Sequence, residues 1–361
     1  MKKHLLITVV LLMSFSFAHG QSKYSNEFLS LGIGARGLAM GNTMCAISDD
    51  VTAAYWNPAG LGRMDKKYQL SLMHAEYFAG VAKYDYAGIG YKIDDRSSVA
   101  LSYIRFGVDN IMNTTELIDA QGNVDYDRIS YFSASDNAFL LSYAYNFEKV
   151  PGLSLGTNAK IIYRNIGKFA NAWGFGLDFG LQYNHKGWQA GAMLRDGTST
   201  FNAWNYHLTD QVIDIFHQTD NEIPENELEL TLPALMLGAG KYVELGKGFN
   251  ATFALGLDCT FDGKRNTLIK SNVLSMDPHF GMEFAYKKIV ALRAGIGNFQ
   301  QEPDFDGKKK TTLQINLGVG VCIKNIVSID YAFTDLGDIS IAQYSHIISL
   351  KVAIDRFKKQ Q

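Results

Sequence analysis

From residue 68 onward, apolar and polar residues alternate along the chain. In 173–184, for example, large apolar side chains occupy the odd positions, and Gly, Asp, Gln and Asn occupy the even ones. A period of two residues is typical of β-strands that have one apolar and one polar face. Fourteen such segments can be delimited, near 68–79, 82–93, 97–107, 137–148, 152–164, 173–184, 187–195, 231–242, 247–262, 275–287, 288–297, 311–323, 325–333 and 343–355.

The length and number of these segments predict the fold class. Strands of ~9–11 residues, even in number, are what a closed antiparallel barrel needs to span a membrane. We therefore predict an all-β fold, a transmembrane antiparallel β-barrel of about 14 strands. Segments 82–93 and 231–242 alternate less regularly, which leaves the count open by two.

The connections between the segments support the same prediction. Several are very short, whereas four are long: 108–136, 196–230, 263–274 and 298–310. Tight periplasmic turns at one end and long extracellular loops at the other are typical of membrane barrels. A soluble barrel of fourteen strands would have a bore too wide for its side chains alone to fill. We therefore expect the apolar face to meet lipid and the polar face to line a wet lumen.

The first residues carry an export signal. Residues 1–20 combine Lys2 and Lys3 with a short apolar core and small residues before a predicted cleavage at Gln21. The alternative, a retained membrane helix, is disfavoured because a span needs ~20 apolar residues. We predict three parts, a signal peptide at 1–20, an N-terminal plug segment at 21–67 and a barrel at 68–361, located in the cell outer membrane.

Composition and charge narrow the function classes. Without Lys2 and Lys3 the chain has 32 basic and 36 acidic residues, a net charge of −4, which argues against a nucleic-acid partner. The three cysteines, Cys45, Cys259 and Cys322, are too few and too widely spaced for a disulfide framework or a cysteine metal site. We predict no metal site and no cofactor.

Residues 28–61 form a Gly- and Ala-rich stretch unlike the rest of the chain, which we expect to plug the periplasmic mouth of the barrel. It contains a G-x-G-x-x-G pattern at Gly32, Gly34 and Gly37. A dinucleotide site would need a surrounding βαβ unit, which is lacking here. The glycines are better explained as letting a compact segment fold inside a confined lumen.

Polar residues of the same stretch are candidates for holding it in place. Arg36 can form a forked salt bridge with a carboxylate of the lumen. Asp49 and Asp50 can cap a short helix over 51–55. The plug motif ends in Asn57, Pro58, Ala59 and Gly60, where Pro58 restricts Asn57 to extended geometry.

Catalytic residues are not predicted. The chain has no G-x-S-x-G motif, and its histidines do not form the H-E-x-x-H pattern. Charged residues expected to face the lumen are more readily explained by pairing with one another and with the plug. The long loops 108–136 and 196–230 are acidic; they are either solvated surfaces or docking sites for partners or divalent cations.

The sequence FLSLGIGARGLAMGNTMCAISDDVTAAYWNPAGL at 28–61 resembles the N-terminal signature of the PorV/PorQ family of outer-membrane proteins, which is related to the FadL long-chain fatty-acid transporters. The resemblance implies a fourteen-stranded barrel whose plug holds short helices in the lumen. It also implies a non-enzymatic docking and shuttle role in type IX protein secretion or surface attachment. The partners would be secretion-system proteins, the C-terminal signal domains of cargo, and outer-membrane lipids or lipopolysaccharide.

A second function shares this fold and location. A FadL-like channel would move fatty acids or other hydrophobic molecules through the lumen or a lateral opening. Such a channel needs an apolar pocket beside the plug, whereas the inward strand positions are mostly small, polar or charged. On that ground the sequence favours the docking role. It does not indicate the cargo, the oligomeric state or whether a lateral opening exists.

Overall fold

The computed structural model describes residues 25–118, 122–303, 309–336 and 344–355. The predicted signal peptide and residues 21–24 of the predicted plug segment lie outside these ranges. Within them, no helix has the length and apolar character needed to cross a bilayer.

Fourteen antiparallel strands form a closed barrel, as predicted. Two of them, β7 and β8, are each built from two pieces. The strands are β1 (Tyr68–Tyr77), β2 (Ala82–Lys92), β3 (Ser97–Asn113), β4 (Ser130–Asn146), β5 (Leu153–Ile166), β6 (Ala170–His185), β7 (Trp188–Arg195 and Thr200–Tyr206), β8 (Leu228–Thr231 and Ala234–Gly246), β9 (Phe249–Thr260), β10 (Ser275–Tyr286), β11 (Val290–Pro303), β12 (Lys309–Ile323), β13 (Val327–Leu336) and β14 (Ser345–Ile354).

Each strand pairs with its neighbours in sequence, and β14 returns to pair with β1, where Leu350 lies opposite Leu72. Closure leaves no free strand edge, which is what a hydrocarbon environment requires of a sheet. At one end, called here the short-turn end, every connection is a short turn; two further short turns, 78–81 and 167–169, lie at the opposite end. The long connections lie at the other, the long-loop end.

The two faces of the wall separate as the alternation predicts. In β3, Leu101 is 56% exposed and points outward, whereas the next residue, Ser102, is 1% exposed and points inward. Exposed aromatic side chains such as Tyr143, Trp188 and Tyr286 lie near the strand ends, where an interfacial girdle is expected. The chain is therefore an outer-membrane β-barrel.

The long loops differ from the prediction because strands extend into them. The connection between β3 and β4 shortens to 114–129. The predicted loop 196–230 holds the second piece of β7, a helix at Asp210–Gln218 and the first piece of β8. A break at 196–199 interrupts the alternation in sequence, although Phe201 and Trp204 still continue the β6 ladder beyond it.

Residues 25–67 lie inside the barrel and are called the plug. The plug contains 3₁₀ turns at Glu27–Leu29 and Pro58–Arg63 and two short helices, α1 (Ala35–Ala39) and α2 (Ala53–Trp56). Its apolar side chains pack with inward side chains of the wall such as Tyr84 and Ile104 in one buried cluster. The plug extends from the short-turn end, where the Gly62 oxygen accepts from Asn146 at 2.7 Å, toward the long-loop end, where Glu27 binds Arg265.

Candidate functional site

Asn57 is the central anchor of the plug. Its side chain is fully buried, and Nδ2 donates to the backbone oxygens of Cys45 at 2.9 Å, Leu181 at 3.0 Å and Ala192 at 3.3 Å. Oδ1 accepts from the Ala59 backbone N–H at 3.2 Å, which starts the turn Pro58–Arg63. One amide thus connects two parts of the plug to strands β6 and β7. Its backbone is extended, as the following Pro58 predicts.

The plug backbone packs directly against inward-facing glycines of the wall. A Cβ at Gly156 of β5 would lie 2.2 Å from the Ala59 nitrogen, and one at Gly295 of β11 would lie 2.2 Å from the Gly41 nitrogen. Real Cβ atoms do not approach this closely, so only glycine lets wall and plug touch here. The polar-face glycines of the alternating strands therefore serve close packing. Within the plug, a Cβ at Gly60 would meet the Ser48 oxygen at 2.4 Å.

Arg36 forms the forked ion pair predicted for it. Its Nε and Nη2 donate to the two oxygens of Glu283 on β10 at 3.0 and 3.2 Å, and its Nη1 donates to Asp49 at 2.9 Å. Glu283 also accepts from Arg293 at 2.6 Å, and Arg293 donates to Asp330. The Glu283 carboxylate raises the pKa of the Arg36 guanidinium well above its ordinary value. The network ties α1 to three strands of the wall.

The structure does not show the predicted capping by Asp49 and Asp50, because Thr52 is the N-cap residue of α2 and no side chain forms a cap hydrogen bond there. The Asp50 carboxylate accepts from the Thr52 backbone N–H at 2.9 Å, just before α2, and from Lys351 Nζ of β14 at 2.6 Å. Asp49 is wrong as a cap because its carboxylate pairs with Arg36, and α2 spans Ala53–Trp56, not 51–55. Burial alone would raise the pKa of Asp50, but the Lys351 and Arg36 charges hold it below its ordinary value.

The G-x-G-x-x-G pattern packs around an indole ring. A Cβ at Gly37 would lie 2.6 Å from Trp56 Cζ2, and one at Gly32 would lie 2.9 Å from the same ring. Gly32 and Gly34 have φ of 93° and 75°, a backbone conformation that favours glycine. Trp56 Nε1 donates to the Ile33 oxygen at 3.2 Å. In this structure the three glycines pack the first half of the plug against α2.

The charges expected to face the lumen pair as anticipated. Lys160 is buried and contacts Asp178 at 2.9 Å and Asp196 at 2.5 Å. Arg195 donates to the Leu29 and Tyr55 oxygens at 2.9 and 3.3 Å and lies 4.7 Å above the Tyr55 ring. The Cys45 thiol is not activated as a nucleophile, because burial raises its pKa to about 12. The described residues hold no cluster of three or more metal-ligating side chains.

Above the plug, toward the long-loop end, lies a cavity of about 670 Å³, called the upper cavity. Its floor is the plug, which contributes Leu29, Leu31 and Leu38, and its walls include Met236 and Phe261. Sequence analysis missed this apolar lining because it comes from the plug and from strand ends, where strand alternation gives no signal. A lower cavity of about 380 Å³ lies below the plug, among Arg36, Asp49 and Lys351. Helix α1 stands between the two.

The wall beside the upper cavity is interrupted. The β7–β8 ladder stops at Arg195 opposite Ala234 and resumes at Thr200 opposite Thr231. This stretch, 196–199 with 232–233, is called the wall break. Its Asp196 carboxylate accepts from Thr200 and binds Lys160, and its backbone N–H donates to Asp178 at 2.8 Å. Asp196 and Ser199 have positive φ, so a buried ion cluster holds an unusual backbone shape.

These features define a class of protein: a plugged outer-membrane β-barrel with a cavity above the plug and a break in the adjoining wall. No family model matches the chain, and no curated protein is significantly similar to it in sequence. Solved structures of the same fold do exist, and their likeness is structural.

The monoaromatic hydrocarbon channel CymD has a TM-score of 0.57 at 13% identity, over 90% of this chain and 98% of that one. The toluene transporter TbuX of Ralstonia pickettii has a TM-score of 0.53 at 13% identity, over 90% and 98%. The toluene transporter TodX of Pseudomonas putida has a TM-score of 0.55 at 12% identity, over 89% and 97%. At these identities the likeness shows that the chain shares the barrel fold of these three proteins and nothing finer. The resemblance to PorV/PorQ rests on residues 28–61 alone.

Proposed function

We propose that this barrel lets small hydrophobic molecules pass the outer membrane, with the upper cavity as their binding chamber and the wall break as their exit into the bilayer. One observation carries the proposal: the cavity borders the break, because Asp196, Leu232 and Pro233 of the break also line the cavity. A molecule bound there is separated from lipid by a stretch of wall that lacks pairing between β7 and β8, although Gly197 N–H still donates to the Leu177 oxygen of β6 at 2.8 Å.

The chemistry of the cavity also supports passage. Sequence analysis favoured docking because inward strand positions are polar, yet the plug supplies apolar side chains to the chamber floor. Ligand sites are typically apolar chambers of roughly 300–1,000 Å³ with a few polar groups, and this cavity lies within that range. CymD is named a monoaromatic hydrocarbon channel, and TbuX and TodX are named toluene transporters. These names agree with the proposal that this chain uses the same fold to pass small hydrophobic molecules.

The test is uptake of ethylbenzene into cells that express the barrel in their outer membrane. Ala234 lines the upper cavity at the edge of the break, so Ala234→Trp places an indole between the chamber and the break and is expected to reduce uptake to the level of cells without the barrel. Ala203→Trp adds the same volume on the outward face of β7 and is the matched control. Equal uptake by wild type, Ala234→Trp and empty cells would contradict the proposal.

The docking role in type IX secretion is kept as a second proposal because of one feature of the surface. The connection between β7 and β8 displays Asp210, Asp214, Asp220 and Glu225 as exposed carboxylates beside the helix at Asp210–Gln218. Such a surface suits a basic partner outside the cell. Affinity purification from native outer membranes tests it: recovery of secretion components supports docking, and their loss on neutralising these four carboxylates is expected.

A further inference from the structure

We propose that the upper cavity selects molecules that combine an apolar body with an ammonium group, and that Asp258 is the residue that binds this group. The inference rests on the proposed function, since it names the substrate class of the same chamber. It follows from the charges that line the cavity, from the partners these charges already have, and from a polar patch on β9 and β10.

Among the described lining residues, carboxylates outnumber guanidinium groups six to two. The carboxylates belong to Glu27, Asp196, Asp258, Asp262, Asp277 and Asp335, and the guanidinium groups to Arg195 and Arg265. In a low-dielectric chamber, like charges repel far more strongly than in water. Arg265 pairs with Glu27 and Asp262, and Lys160 pairs with Asp196. The negative charge that faces a ligand therefore lies chiefly on Asp258 and Asp277, and it favours neutral or cationic molecules over fatty-acid carboxylates.

Neither arginine is arranged to receive an anion. Arg195 is turned to the plug, where it donates to the Leu29 and Tyr55 oxygens and stacks on Tyr55. Arg265 donates to Asp262 at 2.5–2.9 Å and to Glu27 at 2.9 Å. Both guanidinium groups therefore already hold the structure together, and a ligand carboxylate would have to displace these contacts.

The β9–β10 patch, defined as Asp258, Thr260, Asp277 and His279, has the opposite character. Asp258 and Asp277 lie directly opposite each other in the ladder, an arrangement of like charges that is destabilising without a cation nearby. The His279 ring is 8% exposed, and its Nε2 lies within ion-pair distance of both carboxylates, 3.4 Å from Asp258 Oδ2 and 3.7 Å from Asp277 Oδ2. When protonated, His279 offsets part of their repulsion.

Unsatisfied polar atoms concentrate in this patch. Thr260 Oγ1, Asp277 Oδ1 and His279 Nε2 are buried without a hydrogen-bond partner. Buried polar atoms are nearly always paired, so three together show that this patch can still bind a further polar group beside His279. The Asp258 side chain is 41% exposed and lines the cavity, so it is the carboxylate that an incoming ammonium meets first.

Ammonium matches this patch because it carries only hydrogen-bond donors and a positive charge. It would satisfy Asp258 directly and offset the repulsion between the two opposed carboxylates. The apolar remainder of the molecule would lie over Leu29, Leu31 and Met236. A hydrocarbon without the amine fits the same chamber but leaves the patch unsatisfied.

The experiment compares three ligands of one size on the purified barrel in nonionic detergent: ethylbenzene, 2-phenylethylamine and phenylacetate. Binding is measured by titration calorimetry at neutral pH. We expect the amine to bind at least about tenfold more tightly than the acid. Asp258→Asn should weaken amine binding roughly tenfold, the effect of one charge-assisted hydrogen bond, and leave ethylbenzene binding unchanged. Asp214→Asn removes the same charge from an exposed position of the helix Asp210–Gln218, outside the cavity, and is the matched control.

The outcomes separate the two proposals. If ethylbenzene binds but the amine binds no more tightly than phenylacetate, the selectivity inference is overturned while the passage proposal stands. If Asp258→Asn binds the amine as the wild type does, the assignment of Asp258 is overturned; Asp277→Asn, which keeps side-chain size at the second carboxylate, repeats the test. If neither ethylbenzene nor the amine binds, the proposed function itself fails. Retained heat-modifiable migration confirms that each variant is folded.

Discussion

At the scale of single residues, the plug depends on one side chain more than on any broad contact. Asn57 satisfies three backbone oxygens and one backbone N–H in a fully buried position. Substitution by Asp keeps the shape but turns the donor into a charged acceptor facing those oxygens. We expect Asn57→Asp to cost ~3 kcal/mol or more, and Asn57→Ala less, because an uncompensated buried charge exceeds the cost of lost hydrogen bonds.

Limited trypsin digestion of the folded barrel measures this effect, since Arg36 and Arg63 are cleavage sites within the plug. Faster cleavage is expected in the order Asp, Ala, wild type. Asn221→Asp, in the exposed loop after the helix Asp210–Gln218, introduces the same charge without touching the plug. An Asp variant as resistant as this control would show that Asn57 does not anchor the plug.

Asp50 gives the plug a dependence on pH. Its pKa in the folded protein lies below the ordinary value of 3.8, because Lys351 and Arg36 outweigh the effect of burial. The ion pair with Lys351 therefore stabilises the plug fully above that value, and this stabilisation is lost as pH falls. We expect plug protection to be constant from pH 7 to about pH 5 and to decrease below about pH 4.

An acid-active protease such as pepsin, with the exposure of the plug followed by mass spectrometry, suits this measurement. Asp50→Asn should weaken protection at pH 7 and flatten the acid-dependent decrease. The decrease should not vanish, because Glu283 also binds Arg36. An unchanged pH profile in Asp50→Asn would contradict the assigned role of this carboxylate.

At the scale of elements, the plug packs closely against the strands at positions where the wall has glycine and therefore no side chain. Gly156→Ala and Gly295→Ala place a methyl group where plug backbone nitrogens would lie 2.2 Å away, so the plug must shift. We expect faster plug cleavage at unchanged barrel assembly, because the ladder hydrogen bonds of β5 and β11 are kept. Gly256→Ala is the matched control: its methyl would meet only ordinary contacts at 3.5–3.7 Å. Equal cleavage of all three variants would contradict the packing role.

The sequence predicts a strand well when its side chains alternate between lipid and lumen. Segments such as 173–184 have one face in lipid and one in the lumen, so their alternation is regular and β6 was correctly predicted. The second piece of β7 was missed because the Asp196–Ser199 break shifts the backbone out of register, and Lys160, which binds Asp196 at the break, lies on another strand. A tertiary ion pair leaves no local trace in the sequence.

Of the candidate site, the sequence predicted the residues of the plug but not those of the wall. Arg36 and Asn57 stood out because charged and turn-forming residues are unusual in a Gly- and Ala-rich stretch, and Arg36 does form its predicted fork. Asp258, Asp277 and His279 were inconspicuous, because an isolated polar residue at an inward position is ordinary in a barrel. Only the register, which places Asp258 opposite Asp277, reveals the patch.

At the scale of the whole molecule, the plug determines what the barrel can conduct. It separates the upper and lower cavities, with α1 between them, and a fourteen-stranded wall without it would enclose a bore that side chains do not fill. The wall break, in contrast, adjoins only the upper cavity. A hydrophobic molecule that leaves through the break contacts the plug only as the floor of the upper cavity and does not have to cross it, whereas an ion crossing the membrane must pass it.

This geometry predicts that hydrocarbon uptake and ion conduction are separate properties. In planar bilayers the wild type should conduct almost no current. Deletion of 25–64 should open a steady ion-conducting pore and lower the melting temperature, because the buried cluster shared by plug and wall is lost. Ala234→Trp should stay closed to ions like the wild type while it blocks ethylbenzene uptake. If the wild type conducts as the deletion variant does, the plug is not the barrier, and a lateral exit would no longer be needed to explain passage.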